Sequence, residues 1–196
     1  KEQVNLPAGY RLEWGGQFEN QQRAMRRLAV IVPLTIGLIF FLLFSTFDSF
    51  KLAGLVLLNL PFALIGGVFS LWLSGLYLSV PASVGFIALM GIAVLNGVVL
   101  ISCFQQLLAD GQPLQTAIIL GGQRRLRPVL MTAITTLLGL VPLIFAQGPG
   151  AEVQRPLAVV VIGGLVTSTI LTLLVLPVFY QWLMKKDIIK KSQLDQ

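Results

Sequence analysis

Asn96 is the residue around which any chemistry in this chain has to be built. It lies in the run from Gly85 to Phe104, which carries no charge, and an amide at mid-depth in such a helix is costly without a partner. Helical spacing puts it on one face with Ile92, Val99, Leu100 and Cys103. Two roles are open to it. It is either interhelical glue, a hydrogen bond worth about 0.6 to 2 kcal/mol, or part of a polar relay for protons or ions crossing the bundle interior. Asn59, two residues before Pro61, is a second amide in an apolar run, and Thr132, Thr135 and Thr136 supply hydroxyls to a third. A membrane threonine, however, readily bonds the backbone carbonyl one turn back.

Other chemistries are poorly provided for. The chain has no histidine and a single cysteine, Cys103, so it lacks the commonest transition-metal ligand and cannot form an internal disulfide. Met25, Met90, Met131 and Met184 are scattered, without the clustering a soft-metal site needs. The apolar runs contain no Asp, Glu, Lys or Arg. A titrating acid must therefore lie outside them, and Asn96, whose amide does not titrate, is not a proton carrier. Glu152 is explained by the favourable position of an anion near a helix N-terminus. No nucleophile–base pair appears, so no enzyme, cofactor or metal site is expected within this chain.

The elements that hold these residues are membrane spans. The 196 residues are 56% hydrophobic and 11% charged, with a mean hydropathy of +0.85, whereas soluble domains carry about 25% charge. Runs of about 20 apolar residues cover the hydrocarbon core of a bilayer. Five are expected: 28–47, 52–73, 84–104, 129–146 and 156–182. The fold class is thus an all-α integral membrane protein with five transmembrane helices. Residues 1–27 are polar, with Tyr10, Leu12 and Trp14 alternating as in a half-buried strand before Gly15-Gly16. They look like the end of an upstream domain and a lead-in helix. Asp110-Gly111 stops one helix, Pro113 opens a short surface helix over about 113–121 that ends at Gly121-Gly122, and residues 184–196 form a basic tail.

Several positions bend or pack the spans. Pro61 removes a helix hydrogen bond and leaves the Leu57 carbonyl without its usual donor, so a kink is expected beside Asn59. Gly66, Ser70 and Ser74 recur every four residues as a small-residue stripe for close helix packing. Pro142 and the pair Gly163-Gly164 join Asn59, Pro61, Gly66 and Ser70 as expected kink or packing positions.

The 14 basic residues outnumber the 8 acidic ones, but they sit between and after the spans, so topology explains them and nucleic acid does not. Lys51, Arg124, Arg125, Arg127 and the tail lysines 185, 186, 190 and 191 fall on one side, which is then cytoplasmic. Arg23, Arg26 and Arg27 lie on the other side, a conflict that upstream spans would resolve. The chain also begins Lys1-Glu-Gln-Val, without Met or a leader. A piece of a longer protein is expected.

Specific strings carry a resemblance. Arg125-Leu-Arg-Pro-Val-Leu-Met-Thr132, Gly148-Pro-Gly-Ala-Glu-Val-Gln-Arg-Pro156, Val161-Ile-Gly-Gly-Leu-Val-Thr-Ser-Thr169, Leu173-Leu-Val-Leu-Pro177, Leu6-Pro-Ala-Gly-Tyr10 and Trp14-Gly-Gly-Gln-Phe-Glu-Asn20 resemble the C-terminal part of proton-driven efflux pumps of the resistance-nodulation-division superfamily. Gly91-Ile-Ala-Val-Leu-Asn-Gly97 is most similar to the heavy-metal branch, in particular its cobalt, zinc and cadmium members. The resemblance implies helices eight to twelve of a twelve-helix inner-membrane protein, a homotrimer with a periplasmic adaptor and an outer-membrane channel. It implies a periplasmic N-terminal end and a cytoplasmic tail, with the proton-accepting acids and metal ligands in the missing upstream part. It also implies a relay neighbourhood of Asn96, Arg125 and Thr132. No lysine accompanies Asn96, and Val129 stands where copper and silver exporters resemble one another in having a lysine, which points away from drug and monovalent-metal export. The alternatives are a truncated remnant that inserts but moves nothing, or a multidrug member of the same superfamily.

Overall fold

A computed structural model describes residues 17–194, with side chains placed for residues 22–185. The alternation at Tyr10 to Trp14, the strings before residue 17 and the side chains of most of the basic tail lie outside the described residues. Everything described is helix and short turn. The helices are α1 (Gln17–Phe47), α2 (Phe50–Leu57), α3 (Asn59–Leu73), α4 (Val80–Ala109), α5 (Leu114–Ile144) and α6 (Ala151–Leu194). Taking α2 and α3 together, five helical stretches are long and apolar enough to cross a membrane.

Local sequence sets the ends. Asp48 takes a positive φ of 52° between α1 and α2, which Asp tolerates better than most residues, and Phe44 stacks on Phe50 across that turn at 4.1 Å. Ser49 caps α2 and Ser79 caps α4, each accepting from the backbone N–H three residues on. At the end of α4 Gly111 adopts φ 81°, and Gln112 donates to the Leu107 carbonyl at 3.1 Å, the closure expected of Asp110-Gly111.

The interruption expected at Pro61 is present. Leu58 alone separates α2 from α3, and Pro61 is the third residue of α3. The surface helix expected over 113–121 is not separate from the fourth span, because α5 runs unbroken from Leu114 through the arginines and Pro128 to Ile144. The reason lies at Gly121. It does not take the positive φ of a helix stop; it is a close-approach glycine, where a Cβ would lie 2.5 Å from Cδ1 of Phe104. Packing against α4 thus carries the helix past the expected end. Pro142, expected as a kink or packing position, is exposed, and the helix continues two residues beyond it. At the C-terminus α6 extends through the basic tail to Leu194.

α4 touches every other helix, and α6 packs on α2, α3, α4 and α5. Two apolar clusters fill the bundle. One joins Leu43, Phe47, Val56, Leu100, Phe104 and Tyr180; the other joins Leu60, Ala63, Leu89, Ala93, Val160 and Leu165. The break at Leu58 falls between them. α1 stays at the edge, with Val30 69% and Leu34 72% exposed, an apolar face suited to lipid or to further helices.

Candidate polar site within the bundle

The seam between α3 and α6 brings backbones together through missing side chains. Thr167 of α6 occupies the space a side chain at Gly66 would need, and Ser70 of α3 does the same opposite Gly163. A Cβ on Gly164 would strike Leu89 and come within 2.9 Å of the Ala63 carbonyl. The Ser70 hydroxyl lies 2.8 Å from the Val159 carbonyl across the seam and 2.9 Å from the Gly67 carbonyl of its own helix. The small-residue stripe therefore works at Gly66 and Ser70 but stops there, since Ser74 is the exposed C-cap of α3.

At the α2–α3 break the polar groups converge. Asn59 is 5% exposed, and its Nδ2 donates to the Ala93 carbonyl of α4 at 3.2 Å and to Thr172 Oγ1 of α6 at 2.5 Å. One amide thereby ties three helices together at the point where a fourth, α2, ends. Ser168, Thr169 and Thr172 are buried on the same stretch of α6. Asn59 was legible in the sequence as a kink neighbour; its partner Thr172, 113 residues away, was not, because Ser and Thr in a membrane helix usually carry only local bonds.

Asn96 is 8% exposed and lies one turn beyond Ala93 on α4. Its amide makes no hydrogen bond to the described residues. Arg125 belongs to the bundle-facing stripe of α5: Ala117, Gly121, Val129 and Ala133, spaced by four, are buried, and Arg125 among them is half-buried. Because Gly121 packs beside Phe104 in antiparallel helices, eight residues of rise along each place Asn96 level with Val129, with Arg125 and Thr132 about one turn to either side. Thr132 is exposed, and its hydroxyl donates to the Val129 carbonyl at 2.9 Å. The structure thus spreads the three residues over about two helical turns of depth, and no bond among the described residues joins them.

Among the described residues no three His, Cys, Asp or Glu side chains come together as a metal site.

Membrane-length helices packed through glycines around neutral buried amides and hydroxyls define an integral membrane bundle of the kind from which secondary transporters are built. The AcrB/AcrD/AcrF family profile matches residues 1–184, and the chain belongs to that family. It is 54% identical over 185 residues to the cobalt-zinc-cadmium resistance protein CzcA of Cupriavidus metallidurans, covering 94% of this chain and 17% of that protein. It is 55% identical over 175 residues to the nickel and cobalt resistance protein CnrA of the same organism, covering 89% of this chain and 16% of the relative. The crystal structure of a heavy metal efflux pump superposes with a TM-score of 0.78 at 46% identity, over 92% of this chain and 18% of the other. The chain therefore spans about a sixth of the relatives it matches. The resemblance expected from the strings, to resistance-nodulation-division pumps of the heavy-metal branch, holds.

Proposed function

We propose that the chain is the C-terminal membrane segment of an inner-membrane, proton-driven exporter of divalent heavy-metal cations such as cobalt, zinc and cadmium. The observation that carries this reading is the 54% identity, maintained over 94% of the chain, with a protein named for resistance to those metals. Asn96 and Arg125 lie about one turn apart in depth, with no acid near them on the spans of this chain; in this reading the titrating groups and metal ligands belong to the larger part of the pump. In this reading Asn96, Arg125 and Thr132 line the path through which protonation of those acids moves helices. The Arg124 to Arg127 face, Lys51 and the tail are cytoplasmic, and the assembly is a homotrimer with a periplasmic adaptor and an outer-membrane channel.

The test is metal transport by the full-length protein reconstituted in liposomes with a pH gradient. Proton-coupled movement of zinc, cobalt or cadmium, lost when the gradient is collapsed, is the expected result. Transport of copper, silver or organic drugs in their place, or of nothing, overturns the assignment.

A further inference from the structure

We propose that the arginine end of α1 holds the headgroup of an anionic phospholipid, with the acyl chains of that lipid lying along the exposed apolar face of the same helix. Arg23, Arg26 and Arg27 are the basic residues that topology leaves unexplained, because in the proposed orientation they stand on the periplasmic side. The choice of leaflet rests on that orientation, and the site does not. Helix geometry puts the three arginines at headgroup depth. Counted back from Phe47, the last residue of α1, a rise of about 1.5 Å per residue puts Arg27 about 30 Å away and Arg23 about 36 Å away, and the hydrocarbon core is about 30 Å thick.

Charge and apolar surface follow one another down a single stripe. At about 100° of turn per residue, Arg23, Arg26, Arg27, Val30, Leu34 and Phe41 fall within roughly 100° of arc, and all six are exposed. Gly37 lies on the same stripe, with nothing within 4 Å of where a Cβ would stand. From Val30 to Phe41 the stripe runs about 16 Å, half the thickness of the hydrocarbon core and so the depth of one leaflet. The opposite side of this end of α1 is seated on α4, where the Ser83 hydroxyl lies 3.6 Å from Met25 Sδ.

Two open clefts adjoin the arginines. One, of about 410 Å3, lies between Arg23 and Arg27 of α1 and Val80 and Val84 of α4; the other, of about 490 Å3, is lined by the three arginines with Val30 and Ile31. Ligand pockets occupy roughly 300 to 1,000 Å3, and guanidinium above aliphatic side chains matches a phosphate joined to acyl chains. Val80 is the first residue of α4, so the positive end of that helix lies beside the first cleft. The chain's own acids do not answer these charges. Glu19 stands one turn before Arg23, but neither Arg26 nor Arg27 has an acid three or four residues away on the helix. Glu152 belongs to α6, and among the described residues α1 packs on α2 and α4 only. Phosphate oxygens accept paired N–H bonds from a guanidinium, and basic pockets between membrane helices hold lipid headgroups in this way. Adjacent arginines favour a headgroup that keeps its net negative charge, such as phosphoglycerol, over one in which an amine cancels the phosphate.

The test uses the full-length protein in membranes of equal phosphatidylglycerol and phosphatidylethanolamine, with p-benzoylphenylalanine in place of Val30. This photo-crosslinker attacks C–H bonds of whatever lies against it, so the captured species, identified by mass spectrometry, reports what covers the face. The expected result is phosphatidylglycerol captured several-fold more often than phosphatidylethanolamine, with the preference lost in the R26Q/R27Q variant. Capture of the two lipids in their bulk ratio overturns the proposal without any further variant, and so does a preference that survives R26Q/R27Q. Capture of protein in place of lipid, whether another segment of the same pump or a second copy of it, also overturns it.

Discussion

Thr167 of α6 sits where a side chain on Gly66 of α3 would have to go. The contact needs both residues at once, since the glycine opens the space and the threonine fills it while bonding its own helix at the Gly163 and Gly164 carbonyls.

Gly66→Ala should therefore destabilise the bundle by about 1 to 3 kcal/mol, the usual penalty for overpacking. Gly37→Ala, where nothing lies within 4 Å, should be neutral. Adding Thr167→Gly should restore part of the loss in the Gly66→Ala background. Thermal unfolding of the purified protein in detergent, arranged as a double-mutant cycle, reads the coupling; strictly additive effects would show that the two residues do not share the space.

The Asn59 amide has a similarly divided role. Asn59→Leu removes bonds to both Ala93 and Thr172, whereas Thr172→Val removes one of them. Membrane hydrogen bonds average about 0.6 kcal/mol with a maximum near 1.7. The expected outcome is a modest loss for Thr172→Val, a larger one for Asn59→Leu, and a double variant no worse than Asn59→Leu alone. Denaturation in mixed micelles measures this.

Asn96 makes no bond to the described residues, so Asn96→Leu, which removes no hydrogen bond seen there, should cost the full-length pump less than about 1 kcal/mol of unfolding free energy. Metal resistance of cells relying on that pump should fall several-fold. A parallel loss of stability and transport would return Asn96 to interhelical glue; unchanged resistance would remove it from the relay.

Orientation is open to a direct measurement. In a Cys103→Ala background, cysteine at exposed Asp110 in the α4–α5 turn should react with a membrane-impermeant maleimide only after the inner membrane is opened. Cysteine at exposed Gln147 in the α5–α6 loop should react in intact spheroplasts. The reverse pattern would invert the proposed topology. Native Cys103, 5% exposed, should stay unlabelled in both conditions.

Much of the fold was legible because bilayer thickness leaves little choice. An uncharged run long enough to span 30 Å of hydrocarbon must satisfy its backbone internally, and a helix does so. The same local logic placed the break beside Pro61, which has no N–H to give, and the stop at Asp110-Gly111, where glycine takes the positive φ a helix end requires. It failed at Gly121-Gly122. Glycine marks both helix ends and close packing, and only the position of Phe104 tells which applies.

The sequence by itself determined the number of crossings, the class of protein, and the absence of charge from the apolar runs, because those follow from residue types and run lengths. The tertiary structure decided which faces meet. It joined α5 into one helix, seated Thr167 on Gly66, tied Asn59 to Thr172 and Ala93, and left Ser168, Thr169 and Asn96 buried without partners among the described residues. These pairings depend on the mutual rotation of helices whose contacting residues lie up to 113 apart in the chain, and rotation is set by where side chains fit together once the helices have packed.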